Sequence, residues 1–190
     1  MRIISGKFKN RKINFPMSLK TRPLKDSVRE NIFNVLSHSK NSKISLKNSK
    51  VLDLYAGTGS FGLECMSREA SKVVFVENNI SALKELEKNI KKIDIENIST
   101  LHQMDVAFFF NKFLRKGSFE RFDIVFFDPP YKNKEYLDIL NILRDMRVLN
   151  KNHIVVIHRE KNTKEDINRS IKVIENRIYG RSEIFFGKIV

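Results

Sequence analysis

An apolar run that ends in a carboxylate, two prolines and an aromatic ring constrains this chain most: Phe122-Asp123-Ile124-Val125-Phe126-Phe127-Asp128-Pro129-Pro130-Tyr131. Ile124 to Phe127 carry no polar side chain and are too few for a helix, so they read as a short buried strand. The prolines forbid both its continuation and an immediate helix. The chain therefore stops stiffly. Asp128 is left at the carboxyl end of the strand, where open α/β sheets bind ligands, with Tyr131 beside it on a turn of few conformations. A carboxylate and a peptide carbonyl so held can accept hydrogen bonds from an exocyclic amine, while the tyrosine ring stacks on the base that carries it. Taken alone, Asp-Pro-Pro-Tyr is equally well a strand-ending turn, because Asp and Pro are ordinary turn residues.

The surrounding chain alternates strand and helix patterns. Strands are expected at 50–55, 72–76, 98–102, 123–127 and 153–158, and helices at 61–68, 80–91, 106–114 and 135–147. That alternation calls for a mostly parallel sheet covered on both faces. Residues 170–178 and 183–190, around Tyr179-Gly180-Arg181-Ser182, read as an antiparallel hairpin closing the sheet. Ahead of the sheet, 2–5 and 11–15 read as a β-hairpin or strand pair with basic edges. A helix follows to about Leu36, with Val28, Ile32 and Leu36 on one stripe and Ser27 and Glu30 spaced as a capping box. Two parts are expected: a basic extension, 1–45, and an α/β domain, 46–190.

The first sheet strand runs into Asp53-Leu54-Tyr55-Ala56-Gly57-Thr58-Gly59-Ser60-Phe61-Gly62, a G-x-G-x-x-G pattern in strand-turn-helix context. Alone it would suggest a dinucleotide. Asp53 speaks against a pyrophosphate, which it would repel, and for a cofactor with a cationic end such as S-adenosylmethionine, whose sulfonium and ammonium are positive. Glu77 ends the second strand, where an acid can take both ribose hydroxyls, Asp105 follows the third, where it can accept from an adenine amine, and Asp128 ends the fourth. Each acid singly is more often a helix N-cap than a ligand. All four in phase line one rim.

Charge separates the two parts. Of a net +14, most lies in residues 1–50, which hold 13 Lys and Arg against 2 Asp and Glu. A base-rich composition alone would enrich Glu with Lys and would not spare the remaining chain, so an anionic partner is expected at the extension. Arg22 and Arg29 are either solvated helix-end charges or phosphate binders. No apolar run approaches the roughly 18 residues of a membrane helix, and no signal-peptide core follows Met1. The single Cys65 and the lack of clustered His argue against internal disulfides and metal, and for a cytoplasmic protein.

The run from Asp53 to Glu64, taken with Asp128-Pro129-Pro130-Tyr131, resembles class I S-adenosylmethionine-dependent methyltransferases that act on amines. Arg2-Ile3-Ile4-Ser5-Gly6-Lys7, Arg11-Lys12, Arg22-Pro23 and Val28-Arg29-Glu30-Asn31-Ile32-Phe33-Asn34 look like the RsmD family, bacterial enzymes that methylate the exocyclic N2 of a guanine in 16S ribosomal RNA. The resemblance spans Arg2 to about His158. It implies a Rossmann-like class I sheet and, as substrate, 16S ribosomal RNA or the small-subunit particle; a monomer is expected. Cofactor contacts would fall at Asp53, Tyr55, Ala56, Gly57, Thr58, Gly59, Glu77, Asn78, Asp105 and Val106. Asp128, Pro129, Pro130 and Tyr131 would be catalytic, and Lys7, Lys9, Arg11, Lys12, Arg22 and Arg29 would bind RNA. Ile157-His158-Arg159 departs from the acid that the family places after the fifth strand, leaving His158 without a role. The central motifs also admit an amino-methyltransferase of DNA or protein, or a non-catalytic RNA-binding assembly factor.

Overall fold

The computed structural model describes residues 1–16, 24–114, 120–162 and 167–189. Seven strands form one sheet in the order β3-β2-β1-β4-β5-β7-β6. They are β1 (Lys50–Leu54), β2 (Lys72–Glu77), β3 (Ser99–Gln103), β4 (Phe122–Phe127), β5 (Leu149–Glu160), β6 (Ile171–Tyr179) and β7 (Ser182–Ile189). The first five pair in parallel, and β7 runs antiparallel between β5 and β6.

Period-two alternation in the parallel strands divides the core between the two faces. Val51, Phe75, Phe126 and Val156 pack with α1 (Asp26–His38), α2 (Ser60–Ser67) and α3 (Ile80–Ile93). Leu52, Leu54, Val125 and Phe127 pack with α4 (Val106–Leu114) and α5 (Tyr136–Asp145). Every second side chain is thus buried on each face, which is why these strands read as continuous apolar runs. Phe61 stacks on Phe126 with ring centroids 4.1 Å apart and on Phe33 at 5.1 Å, fastening α2 between the sheet and α1.

Three expectations are corrected. β5 begins at Leu149, four residues before the expected start, because Asn150 bonds Asp123 Oδ1 and carries a polar segment into the ladder. The capping box is absent: α1 starts at Asp26, Ser27 lies inside its first turn, and no side chain caps the end. The N-terminal hairpin is shorter than expected: Arg2 bridges Lys12, with Ile3 N bonded to Arg11 O at 3.0 Å, Asn10 N to Ile3 O at 2.9 Å and Ile13 N to Met1 O at 3.1 Å. The donors that follow Ile3 turn to α2. Ile4 N and Ser5 N bond the Glu64 carboxylate at 2.7 and 3.0 Å, and Lys7 N bonds Ser67 O at 2.7 Å. A Cβ on Gly6 would lie 1.9 Å from Ser67 O, so only glycine permits this approach. Ile3, Phe8 and Ile13 join the same apolar cluster as α1–α3.

Candidate active site

The strand order places Asp105, Glu77, Asp53 and Asp128 in sequence along the carboxyl edge, on or just past β3, β2, β1 and β4. At the centre, β1 turns into α2 through Tyr55, Gly57 and Gly59, all at positive φ. A Cβ on Gly59 would meet Leu86 Cδ1 at 2.4 Å, whereas one on Gly57 would meet nothing within 4 Å. The first glycine therefore faces open space and the second packs against α3. Tyr55 holds a left-handed backbone that a bulky residue rarely adopts, and burial pushes its phenol up, so it stays a hydroxyl.

Asp53 is buried. Its Oδ2 accepts from Gly62 N at 2.9 Å, and its Oδ1 has no partner. Burial first, with Asp128 and Glu77 adding repulsion against the opposing Gly62 bond, lifts its pKa well above the usual carboxylate value. Such a group favours a cation. Glu77 Oε2 accepts from Gly57 N and its Oε1 from Asn79 N, both at 2.7 Å. Each oxygen keeps a lone pair for a further donor. Asn79 caps α3 through Ala82 N, while Asn78 is exposed. Asp105 Oδ1 accepts from Ala107 N at 2.8 Å and Phe108 N at 3.2 Å, capping α4 beside buried Val106. Ile80 and Phe108, in the first turns of α3 and α4, are exposed and give that part of the rim apolar faces.

Asp128 is held from β5 and β7. His158 Nδ1 lies 2.8 Å from Asp128 Oδ1, and His158 Nε2 lies 2.9 Å from Ser182 Oγ. Next to it, fully buried Arg159 donates through Nη1 to Pro129 O and Pro130 O at 3.3 and 3.2 Å, and through Nη2 to Tyr131 O at 2.7 Å. Its guanidinium sits 4.8 Å over the Tyr136 ring. The proline carbonyls expected to face an amine are therefore already acceptors for Arg159, each with one lone pair remaining. Tyr131 is half-buried and meets the His158 ring edge-on at 6.1 Å. Sequence reasoning missed Arg159; its only signal was a basic pair directly after an apolar strand.

The basic positions divide. Lys7, Lys9, Arg11 and Lys12 are exposed. They sit on the segment docked at Ser67, the carboxyl end of α2. That end is about 12 Å, one eight-residue helix, from the glycine turn. The segment also meets the last turn of α3, where Lys92 Nζ donates to Lys12 O and Arg11 Nη1 to Lys92 O. Arg22 lies outside the described residues. Arg29 is fully buried, bonded to Asp26 Oδ1 at 3.0 Å and to Arg2 O, with Glu64 at 3.9 Å. It staples the N-terminus to α1 and α2, and is not open to a phosphate. Asn14 returns toward the glycine turn through Asn89, which also bonds Thr58 O at 3.2 Å.

Residues 1–188 match a family model described as Conserved hypothetical protein 95. Ribosomal RNA small subunit methyltransferase D of Buchnera aphidicola (subsp. Acyrthosiphon pisum) is 33% identical over 159 residues, 84% of this chain and 78% of that protein. The Haemophilus influenzae protein of the same name is 31% identical, covering 85% and 79%. Among solved structures, a conserved hypothetical protein of Streptococcus pyogenes superposes with a TM-score of 0.71 at 29% identity, covering 85% of this chain and 95% of that one. A Streptococcus mutans chain, described as a candidate methyltransferase and solved with SAH, shares the fold at a TM-score of 0.65 and 15% identity, covering 86% and 48%.

Proposed function

We propose that this chain, which belongs to the RsmD family described as Conserved hypothetical protein 95, transfers a methyl group from S-adenosylmethionine to the exocyclic N2 of a guanine in 16S ribosomal RNA. It is an S-adenosylmethionine-dependent methyltransferase of small-subunit ribosomal RNA. The observation that carries methyl transfer is the unpartnered, buried Asp53 Oδ1 on the same rim as the stiff Asp128-Pro129-Pro130-Tyr131 turn.

The residues fit the cofactor. Asp53 supplies a buried acceptor for a cationic amino-acid end, and the open face of Gly57 leaves room for it. Glu77 would take ribose hydroxyls, Asp105 an adenine amine, and Ile80 and Phe108 the faces of that base. Tyr55, Ala56, Thr58, Gly59, Asn78 and Val106 would frame the pocket. The bound cofactor supplies a methyl group activated by its sulfonium.

A guanine amine is a poor nucleophile because its lone pair is delocalised into the ring. A hydrogen bond from it to Asp128 aims that lone pair, and Tyr131 stacks on the base, so alignment is the main catalytic device. The new N–C bond replaces the S–C bond, and one amine proton passes to solvent. The target nucleotide is unpaired or flipped out to reach the rim. Residues 1–45 serve as a basic extension facing RNA through Lys7, Lys9, Arg11 and Lys12, and residues 46–190 as the catalytic domain. Among the described residues, no helix is long and apolar enough to cross a membrane. On this reading the protein works in the cytoplasm as a monomer, its charge of +14 opposing self-association.

Labelled methyl uptake by small-subunit RNA, assembled subunits, duplex DNA and protein tests the substrate, followed by mapping of the modified nucleotide. Asp128→Ala is expected to lower transfer on the order of 100-fold or more with cofactor affinity within a few-fold. Near-normal turnover in that variant, or uptake by DNA or protein alone, overturns the reading.

A further inference from the structure

The geometry assigns His158 as the positioning residue that fixes the Asp128 carboxylate for the methyl-accepting amine. This rests on the methyl-transfer reading above.

His158 is 6% exposed and lies in the part of β5 paired with β7, opposite Ile184. Its two ring nitrogens face two different elements: Asp128 past the end of β4, and Ser182 at the start of β7. An ionised Asp128 can only accept, so the Nδ1 facing it carries the ring hydrogen. In the neutral ring Nε2 is then the acceptor, and the Ser182 hydroxyl, able to donate or accept, can donate to it. The acceptor-only carboxylate thereby selects the tautomer, and Ser182 holds the far side of the ring.

The effect on Asp128 is directional. The terminal torsion of an aspartate is broad, so a half-buried carboxylate at the rim would otherwise sample many orientations. With Oδ1 tied to His158, Oδ2 remains to accept from the amine, and the carboxylate plane is fixed relative to the turn. Arg159 fixes that turn through the carbonyls of Pro129, Pro130 and Tyr131. Consecutive residues of one strand end therefore hold the backbone and the side chain of the same site. The T-shaped contact between His158 and Tyr131 links the carboxylate plane to the ring that stacks on the base.

Two variants separate positioning from packing. In His158→Asn the amide nitrogen falls near the former Nδ1 and can still donate to Asp128. In His158→Gln it falls near the former Nε2 and keeps the Ser182 side only. Methyl transfer to small-subunit RNA would be followed with cofactor binding by calorimetry and thermal unfolding of each protein. The expected result is a kcat for His158→Asn within about three-fold of wild type, and for His158→Gln at least about ten-fold lower, as loss of orientation predicts. Cofactor affinity and the KM for RNA should change little in either. Equal kcat in the two variants, or wild-type kcat in His158→Gln, overturns the assignment. A wild-type protein that binds cofactor but methylates no RNA overturns the parent reading and this inference with it. An active wild type with two equivalent variants overturns this inference alone.

Discussion

Asn89 grips the backbone of Asn14 on both sides: its Oδ1 accepts from Asn14 N at 2.7 Å, and its Nδ2 donates to Asn14 O at 3.1 Å. The same Nδ2 reaches Thr58 O in the glycine turn. One buried amide on α3 thus joins the N-terminal segment to the glycine turn. Asn89→Leu keeps the volume and strands three backbone groups, which should cost about 1–3 kcal/mol per unsatisfied buried group, tempered by water reaching Asn14. Denaturant unfolding is expected to show the loss, and calorimetry a weaker affinity for S-adenosylmethionine. Unchanged affinity would uncouple segment and turn.

Glu77→Ala removes the acceptor of Gly57 N and Asn79 N as well as the expected ribose contacts. Hydrogen bonds to a charged group are worth roughly 1.5–3 kcal/mol. Cofactor affinity should therefore fall about 10- to 100-fold. An affinity equal to wild type would leave Glu77 as a brace for the turn alone.

The raised pKa of Asp53 has a defined sign. The folded protein holds this proton to higher pH than the unfolded chain does. The associated stability is full below the unfolded carboxylate pKa and is lost as pH rises through the folded one. A cationic ligand favours the ionised form, so S-adenosylmethionine binding should release a proton and strengthen with rising pH across that window. Calorimetry in buffers of different ionisation enthalpy measures the release, and Asp53→Asn should abolish it.

Arg159→Lys retains a charge but not the fork that reaches three carbonyls. Looser placement of Asp128 and Tyr131 should lower kcat on the order of 10- to 100-fold. Cofactor affinity should hold within a few-fold. A coupled loss of affinity would move Arg159 into the cofactor pocket.

Replacing Lys7, Lys9, Arg11 and Lys12 together with Ser should leave cofactor binding intact and weaken RNA binding. Each lost phosphate contact should reduce the slope of log affinity against log salt by about 0.7 for single strands and about 0.9 for a duplex. An identical slope in parallel salt titrations would place the RNA surface elsewhere, with Lys132 and Lys134 beside Tyr131 the next to replace.

The sequence by itself determined the features that depend on near neighbours. Alternating apolar strands and helices, the glycine turn after β1 and the proline stop after β4 follow from local sterics and periodicity. The parallel sheet and its rim of four acids could therefore be read residue by residue. Tertiary structure alone decided which polar groups meet across the fold. Arg29 reads as a surface charge, yet it is buried because Asp26, Glu64 and the Arg2 carbonyl converge on it. His158 and Arg159 look like the frayed end of a strand, and they become the supports of a turn some 30 residues away. Asn89 lies 75 residues from Asn14 and carries no local mark of that contact. Local preference extends over a turn of chain, whereas a buried polar group must find its partner wherever packing brings one.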